Sequence, residues 1–154
     1  MISAAGLREK VDFLNIKSQA ELAATYRYLA HLQSVFVLTA FYEPFGLAPI
    51  EAAACGLACV ATKNGGPSEI FSDGSGILVD PFDSEDIASG MLRALREYPD
   101  LSRKAAHRVR IKYTWEQTAA GYLSVIEQGL KTVAPERLQV PVLDARARIS
   151  DYLD

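Results

Sequence analysis

Residues 34–62 read SVFVLTAFYEPFGLAPIEAAACGLACVAT. Val35-Phe36-Val37-Leu38 is an unbroken apolar run rather than an alternating one, the pattern of a parallel strand covered on both faces. A Pro-Phe-Gly turn at 44–46 follows. An apolar, alanine-rich helix then runs from about Leu47 to Cys55, and Gly56 stops it. Cys59-Val60-Ala61-Thr62 reads as the next strand. Short apolar runs separated by helical segments predict an α/β fold with a mostly parallel sheet flanked by helices.

The pattern extends in both directions. Gly65-Gly66-Pro67 turns the chain into a short helix ending near Phe71, and Asp73-Gly74-Ser75-Gly76 turns it into a strand at Ile77-Leu78-Val79. Asp83 to Asp86 caps a helix with acidic residues that suit its dipole, and the predicted buried stripe is Ile87, Met91, Leu92 and Leu95. Pro99 interrupts, and a further helix is expected from about Leu101 to Tyr113. Thr114-x-x-Gln117 is a capping box for a last helix with Trp115, Ala119, Tyr122 and Ile126 on its inner face, ended by Gly129. Upstream, residues 19 to 31 carry Leu22, Tyr26 and Leu29 at helical spacing, and Val11 to Leu14 reads as a brief strand. Residues 1–130 are expected to form one α/β domain, and residues 131–154 an extension or linker.

The chain has 154 residues, enough for a real core, with 49% hydrophobic and 23% charged residues, which excludes wholesale disorder. Its net charge of -3 argues against non-specific binding to nucleic acid or anionic membrane. No apolar run is long enough to span a membrane. The two cysteines, Cys55 and Cys59, make no disulfide framework, and with only His31 and His107 besides, no metal site is expected. A cytoplasmic, reducing location is the default expectation.

Glu43-Pro44-Phe45-Gly46-Leu47-Ala48-Pro49-Ile50-Glu51 carries the candidate chemistry. Glu43 lies just past the C-terminal end of a parallel strand, where ligands of open α/β sheets bind. Gly46 permits close backbone approach, and the amides of Gly46 and Leu47 open a helix, a ready anion site. Glu51, about one turn in among apolar neighbours, is suited to the vicinal hydroxyls of a ribose. The competing reading is that Glu51 caps a neighbouring loop while Glu43 faces solvent. Lys63-Asn64-Gly65-Gly66-Pro67-Ser68-Glu69 is a second loop bordering the same crevice, either an anion-facing glycine loop or a simple turn. His107 with Arg103, Lys104, Arg108 and Arg110 reads as a solvated helix face, Trp115 as core, and of the tyrosines only Tyr42 lies near the crevice.

EPFGLAPIEA at 43–52, CGLACVATKNGGPSEI at 55–70, GILVDPFDSEDIA at 76–88 and the YTWEQTAAGYLSVIE helix at 113–127 resemble the C-terminal domain of retaining GT-B glycosyltransferases of family 4. The texture is nearest the sucrose-phosphate synthase and mannosylfructose-phosphate synthase branch. The resemblance implies that residues 1–130 are a truncated, partial Rossmann-like domain that binds a nucleotide sugar. Glu51 would hold the ribose of a UDP- or GDP-sugar, and Glu43 would lie at the donor sugar and anomeric carbon. The amides of Phe45, Gly46 and Leu47 would contact sugar and diphosphate, and Gly65 and Gly66 would shape the adjoining loop. It further implies UDP-glucose as donor substrate, a sugar-phosphate acceptor, and neither cofactor nor bound metal.

Parts of that family's pattern are absent. The acceptor-binding domain is missing, as are the first two strand–helix units of the C-terminal domain, with their diphosphate-clamping Arg and Lys. Val11 to Leu14 matches that domain's third strand, which in a 3-2-1-4-5-6 order sits apart from Val35 to Leu38. An uncovered strand edge invites pairing, so a homo-oligomer or union with a missing N-terminal half is expected. The chain alone is then an incomplete, inactive part of a hexosyltransferase. The alternative is a non-catalytic interaction or regulatory domain derived from one.

Overall fold

A computed structural model describes residues 2–132 of the chain. The chain divides into two compact units, one up to Tyr113 and one from Thr114, each described by itself. In the first unit, α1 (Gln19–His31) starts where the Ser18 hydroxyl accepts from the Glu21 amide at 3.2 Å. The Glu21 carboxylate reaches back to accept from the Lys17 amide at 2.8 Å, so two amides at the helix start are satisfied reciprocally. Then follow β1 (Val35–Leu38), α2 (Leu47–Ala54), β2 (Ala58–Thr62), α3 (Gly66–Ile70), β3 (Ile77–Val79), α4 (Ser84–Arg96) and α5 (Tyr98–Lys112).

The sheet is parallel throughout, in the order β1-β2-β3, with Val35 opposite Ala58 and Val60 opposite Ile77. Side chains alternate between its faces, as the pleat requires. Phe36, Leu38, Cys59, Ala61 and Leu78 pack with residues of α1, α2 and α5. Val35, Val37, Ala58, Val60, Ile77 and Val79 pack with residues of α4 and the start of α5. Every residue of β2 is buried, which is why its run is apolar without alternation. Among the described residues β1 is paired on one side only, and all four of its residues stay partly exposed.

The helices reach the sheet through small residues. Leu57 N–H donates to the Ala52 carbonyl at 3.1 Å around Gly56, whose φ of 94° closes α2. The Tyr98 hydroxyl lies 3.0 Å from the Ala30 carbonyl and 2.9 Å from that of Gly56, and the Ser102 hydroxyl donates to the latter at 2.6 Å. The C-terminal ends of α1 and α2 are thereby tied to α5. Pro99 sits in the first turn of α5 rather than breaking it, because a proline there removes no helical hydrogen bond; the helix begins at Tyr98, earlier than Leu101.

Other sequence expectations also fail in this unit. Val11 to Leu14 is not a strand: it bonds to no neighbouring strand among the described residues and runs as unpaired chain with Phe13 86% exposed. The inner stripe of α4 is also not the large-residue one. Met91, Leu92 and Leu95 are exposed, whereas Gly90 and Ala94 are buried and Ile87 partly so. The reason is close approach, since a Cβ on Gly90 would lie 2.5 Å from Cγ1 of Val79.

The second unit contributes α6 (Trp115–Thr132). The Thr114 hydroxyl accepts from the Gln117 amide at 3.3 Å, and the helix continues through Gly129 instead of ending there. Among the described residues none of α6 is buried, the predicted inner face of Trp115, Ala119, Tyr122 and Ile126 included, since the spacing that makes a stripe does not by itself supply the surface that covers it. Of the extension or linker expected at 131–154, residues 131 and 132 continue α6 and the rest lies outside the described residues.

Gly90→Ala should lower the thermal midpoint despite the better helix propensity of alanine, because overpacking costs about 1–3 kcal/mol against a gain of about 1 kcal/mol. Gly121→Ala, with nothing within 4 Å of the added Cβ, should leave it unchanged or raise it. Burial pushes the Cys59 thiol up to about 12 from 9.0. A raised acid remains protonated in the folded chain where the unfolded chain ionises, so stability should fall as pH rises from 9 toward 12. Denaturant titrations of wild type and Cys59→Ala over that range should differ in slope, the variant lacking this part of the loss.

Candidate functional site

At the C-terminal end of the sheet two loops are stitched backbone to backbone. Glu43 N–H donates to the Asn64 carbonyl at 3.1 Å, and Gly66 N–H donates to the Glu43 carbonyl at 2.8 Å. The Asn64 side-chain amide adds a bond to the Phe41 carbonyl at 2.9 Å. The glycines are required by this contact. A Cβ on Gly65 would stand 2.2 Å from the Glu43 carbonyl oxygen, and one on Gly66 would stand 2.3 Å from that of Phe45. Gly65 also holds φ at 95°, which a side chain disfavours.

The Glu43 carboxylate turns inward on its own loop. Its Oε1 accepts from the amides of Phe45 at 3.2 Å and Gly46 at 3.0 Å. Gly46 sits at φ 84° at the start of α2, buried against Ile70, Pro49 and Pro67. No side chain caps the helix, so the amides of Leu47 and Ala48 open it toward the loop. The Phe45 and Leu47 side chains are exposed.

Glu51 occupies a different place. It lines a cavity of about 190 Å³ between α1 and α2, with Gln19, Leu22, Ala23, Tyr26, Ala54 and Cys55. Burial, and after it the nearby Glu51 carboxylate, hold the Tyr26 phenol above its ordinary value, so it stays protonated as a donor. Its ring packs edge-on against Phe36 at 5.9 Å. The structure thus joins Glu43, Phe45, Gly46, Gly65 and Gly66 in one ledge, with Leu47 beside it. Glu51 stands a helical turn away in the cavity.

Tyr42 lies against Gly65 at the ledge, as the sequence reading placed it, whereas Tyr26 and Gln19 at this cavity were passed over. The signal was present, since Gln19, Leu22 and Tyr26 recur at spacings of three and four on one face of α1. Arg108 was misread as part of a solvated face, and it is buried. Lys63 is paired with Asp80 at 2.8 Å. Among the described residues there is no cluster of His, Cys, Asp and Glu able to hold a metal ion, and no helix long and apolar enough to cross a membrane.

Glu43→Ala should cost about 1–2 kcal/mol in urea unfolding by freeing two amides, and Glu43→Gln, which keeps an acceptor oxygen, should cost less than half of that.

Known proteins show the same organisation. The family model for glycosyl transferases group 1 matches residues 1–112. A probable sucrose-phosphate synthase of Thermosipho melanesiensis is 45% identical over 122 residues, which are 79% of this chain and 28% of that protein. The solved sucrose-phosphate synthase of Thermosynechococcus elongatus superposes with a TM-score of 0.71 at 29% identity, covering 86% of this chain and 33% of that one. The structure of Anabaena HepE in complex with UDP gives 0.65 at 27% identity, covering 80% and 35%. The chain therefore spans about a third or less of the proteins it matches. With the family model matching most of its length and the solved relatives sharing its fold, the chain belongs to the glycosyl transferases group 1 family.

Proposed function

We propose that this chain forms the donor-binding wall of a retaining hexosyltransferase, with UDP-glucose as the donor and a sugar phosphate as the acceptor. The observation that carries it is Glu51 lining an apolar cavity next to a protonated Tyr26. A carboxylate in such surroundings gains most from two adjacent hydroxyl donors on one ligand, and the 2′ and 3′ hydroxyls of a ribose supply them. The cavity is smaller than a typical ligand pocket of roughly 300–1,000 Å³, so it suits one ring of the nucleotide.

The start of α2 lies four residues before Glu51, about 6 Å along the helix axis. The Leu47 and Ala48 amides there suit the diphosphate that follows the ribose. Glu43 keeps the ledge in shape through Oε1, and its Oε2, without a protein donor among the described residues, faces the donor sugar. Gly65 and Gly66 act through shape. The relative solved with UDP supports the nucleotide class.

Transfer requires two substrates oriented across a dry cleft, and this unit supplies one wall of it. Binding without turnover is therefore expected of the chain alone. Calorimetric titration with UDP and UDP-glucose should show a Kd on the order of micromolar to low millimolar. Glu51→Ala should weaken it at least about tenfold through loss of two charge-assisted hydrogen bonds. No heat at millimolar UDP, or binding indifferent to Glu51→Ala, would overturn the reading in favour of a non-catalytic interaction domain.

A further inference from the structure

Arg108 is only 9% exposed, and its guanidinium is spent entirely on one short segment. Nε donates to the Ile70 carbonyl. Nη2 donates to the Glu69 carbonyl at 2.9 Å and to the Ser72 hydroxyl at 3.0 Å, and Nη1 donates to the Asp73 carboxylate at 2.9 Å. The other Asp73 oxygen accepts from the Ser75 amide at 3.1 Å. A cation on α5 thus satisfies the carbonyls that end α3 and holds the turn after it, the favourable sign for a helix C-terminus.

The opposite end of α3 is the ledge. Gly66, its first residue, donates to Glu43, and Ser68 Oγ donates back to the Gly65 carbonyl at 2.7 Å. Ile70, whose carbonyl Arg108 holds, packs its Cδ1 on Gly46, 2.8 Å from where a Cβ there would lie. Five residues therefore separate a fixed guanidinium from the backbone that carries Glu43 and the start of α2. The other side chains that anchor α3, Pro67 and Ile70, are buried and apolar and make no directional bond. The planar fork of an arginine defines an orientation, which apolar burial does not.

We infer that Arg108 is a positioning residue for the donor site: by gripping the C-terminal end of α3 it sets the angle at which Gly65 and Gly66 meet Glu43 and hence the aim of the Gly46–Ala48 amides. Its bearing on a ligand rests on the donor-wall reading, whereas its bearing on loop geometry does not. Desolvation opposes ionisation of Asp73, but hydrogen bonds from Ser75 and the Arg108 charge outweigh it and hold that carboxyl below its ordinary value, so the clamp stays charged at neutral pH. Lys104 and Arg103 are paired with Asp100 and do not substitute for it.

Amide exchange by NMR on the full chain separates positioning from plain stability. In Arg108→Met the amides of Phe45, Gly46 and Gly66 should exchange at least about tenfold faster, while those of Ala58–Val60 in β2 change less than about threefold. If Arg108→Met does not fold, Asp73→Asn, which keeps the guanidinium and removes its charged partner, should give the same selectivity at smaller amplitude. Loop amides that stay unchanged, or that rise in step with β2, would overturn the proposal. Alongside, Arg108→Lys should weaken UDP at least about fivefold more than uridine, because the amides meet the diphosphate and Glu51 meets the ribose. Equal weakening of both ligands would also overturn it. A wild-type chain that binds no UDP would remove the donor-wall reading, and the exchange comparison would still decide the role of Arg108.

Discussion

Two loops from different strands approach so closely that one backbone carbonyl sits where a side chain would begin. The Gly66 amide reaches the Glu43 carbonyl at 2.8 Å, and any Cβ on Gly65 or Gly66 would penetrate the opposite chain. The other features of the site follow from that stitch. It sets the path of residues 43–46, places Gly46 in a left-handed conformation at the start of α2, and brings the Glu43 carboxylate back onto its own amides. Parallel strands bring both loops to one end of the sheet, and the glycines let them close into a ledge.

Behind the ledge the packing is layered. β2 is buried on both faces and pairs on both edges, so it is the fixed member against which the helices are arranged. Small residues set how near those helices come. Ala52, Ala53, Ala94 and Ala105 are fully buried, and Gly90 lets α4 lie almost on Val79. Tyr98 and Ser102 join the ends of α1 and α2 to α5, and Arg108 on the same helix joins α3. One helix, α5, thus secures the elements that carry the ledge and the Glu51 cavity.

The candidate site has two parts with different physics. The ledge is a backbone structure, built of amides and carbonyls and indifferent to most side chains. The cavity between α1 and α2 is a side-chain structure, in which an apolar wall raises the value of each hydrogen bond that Glu51 or Tyr26 can make. A ligand that is anionic at one end and a hydroxyl-bearing ring at the other fits this division. The chain covers only 28% of one such relative and 33% of another.

Local chemistry was legible in the sequence wherever a residue acts on its immediate neighbours. Asp83 and Thr114 cap their helices, Gly56 ends α2, and the runs at 35–38, 58–62 and 77–79 are strands, because these preferences lie in a few adjacent residues. The EPFGL and NGGP segments pointed to the ledge for the same reason. Val11 to Leu14 has strand composition but no partner, and strand pairing is a property of two segments. The stripe on α4 went to Gly90 and Ala94 because the depth of a helix–sheet contact depends on the facing strand. Tyr26 joined Glu51, and Arg108 became a buried clamp rather than a surface charge, because their partners lie 25 and more residues away in the chain. The sequence by itself determined where the paired strands, the helices and most turns fall, because those preferences are local. Only the tertiary structure decided which buried groups meet, because burial and hydrogen bonding across long separations exist only once the sheet has brought those segments together.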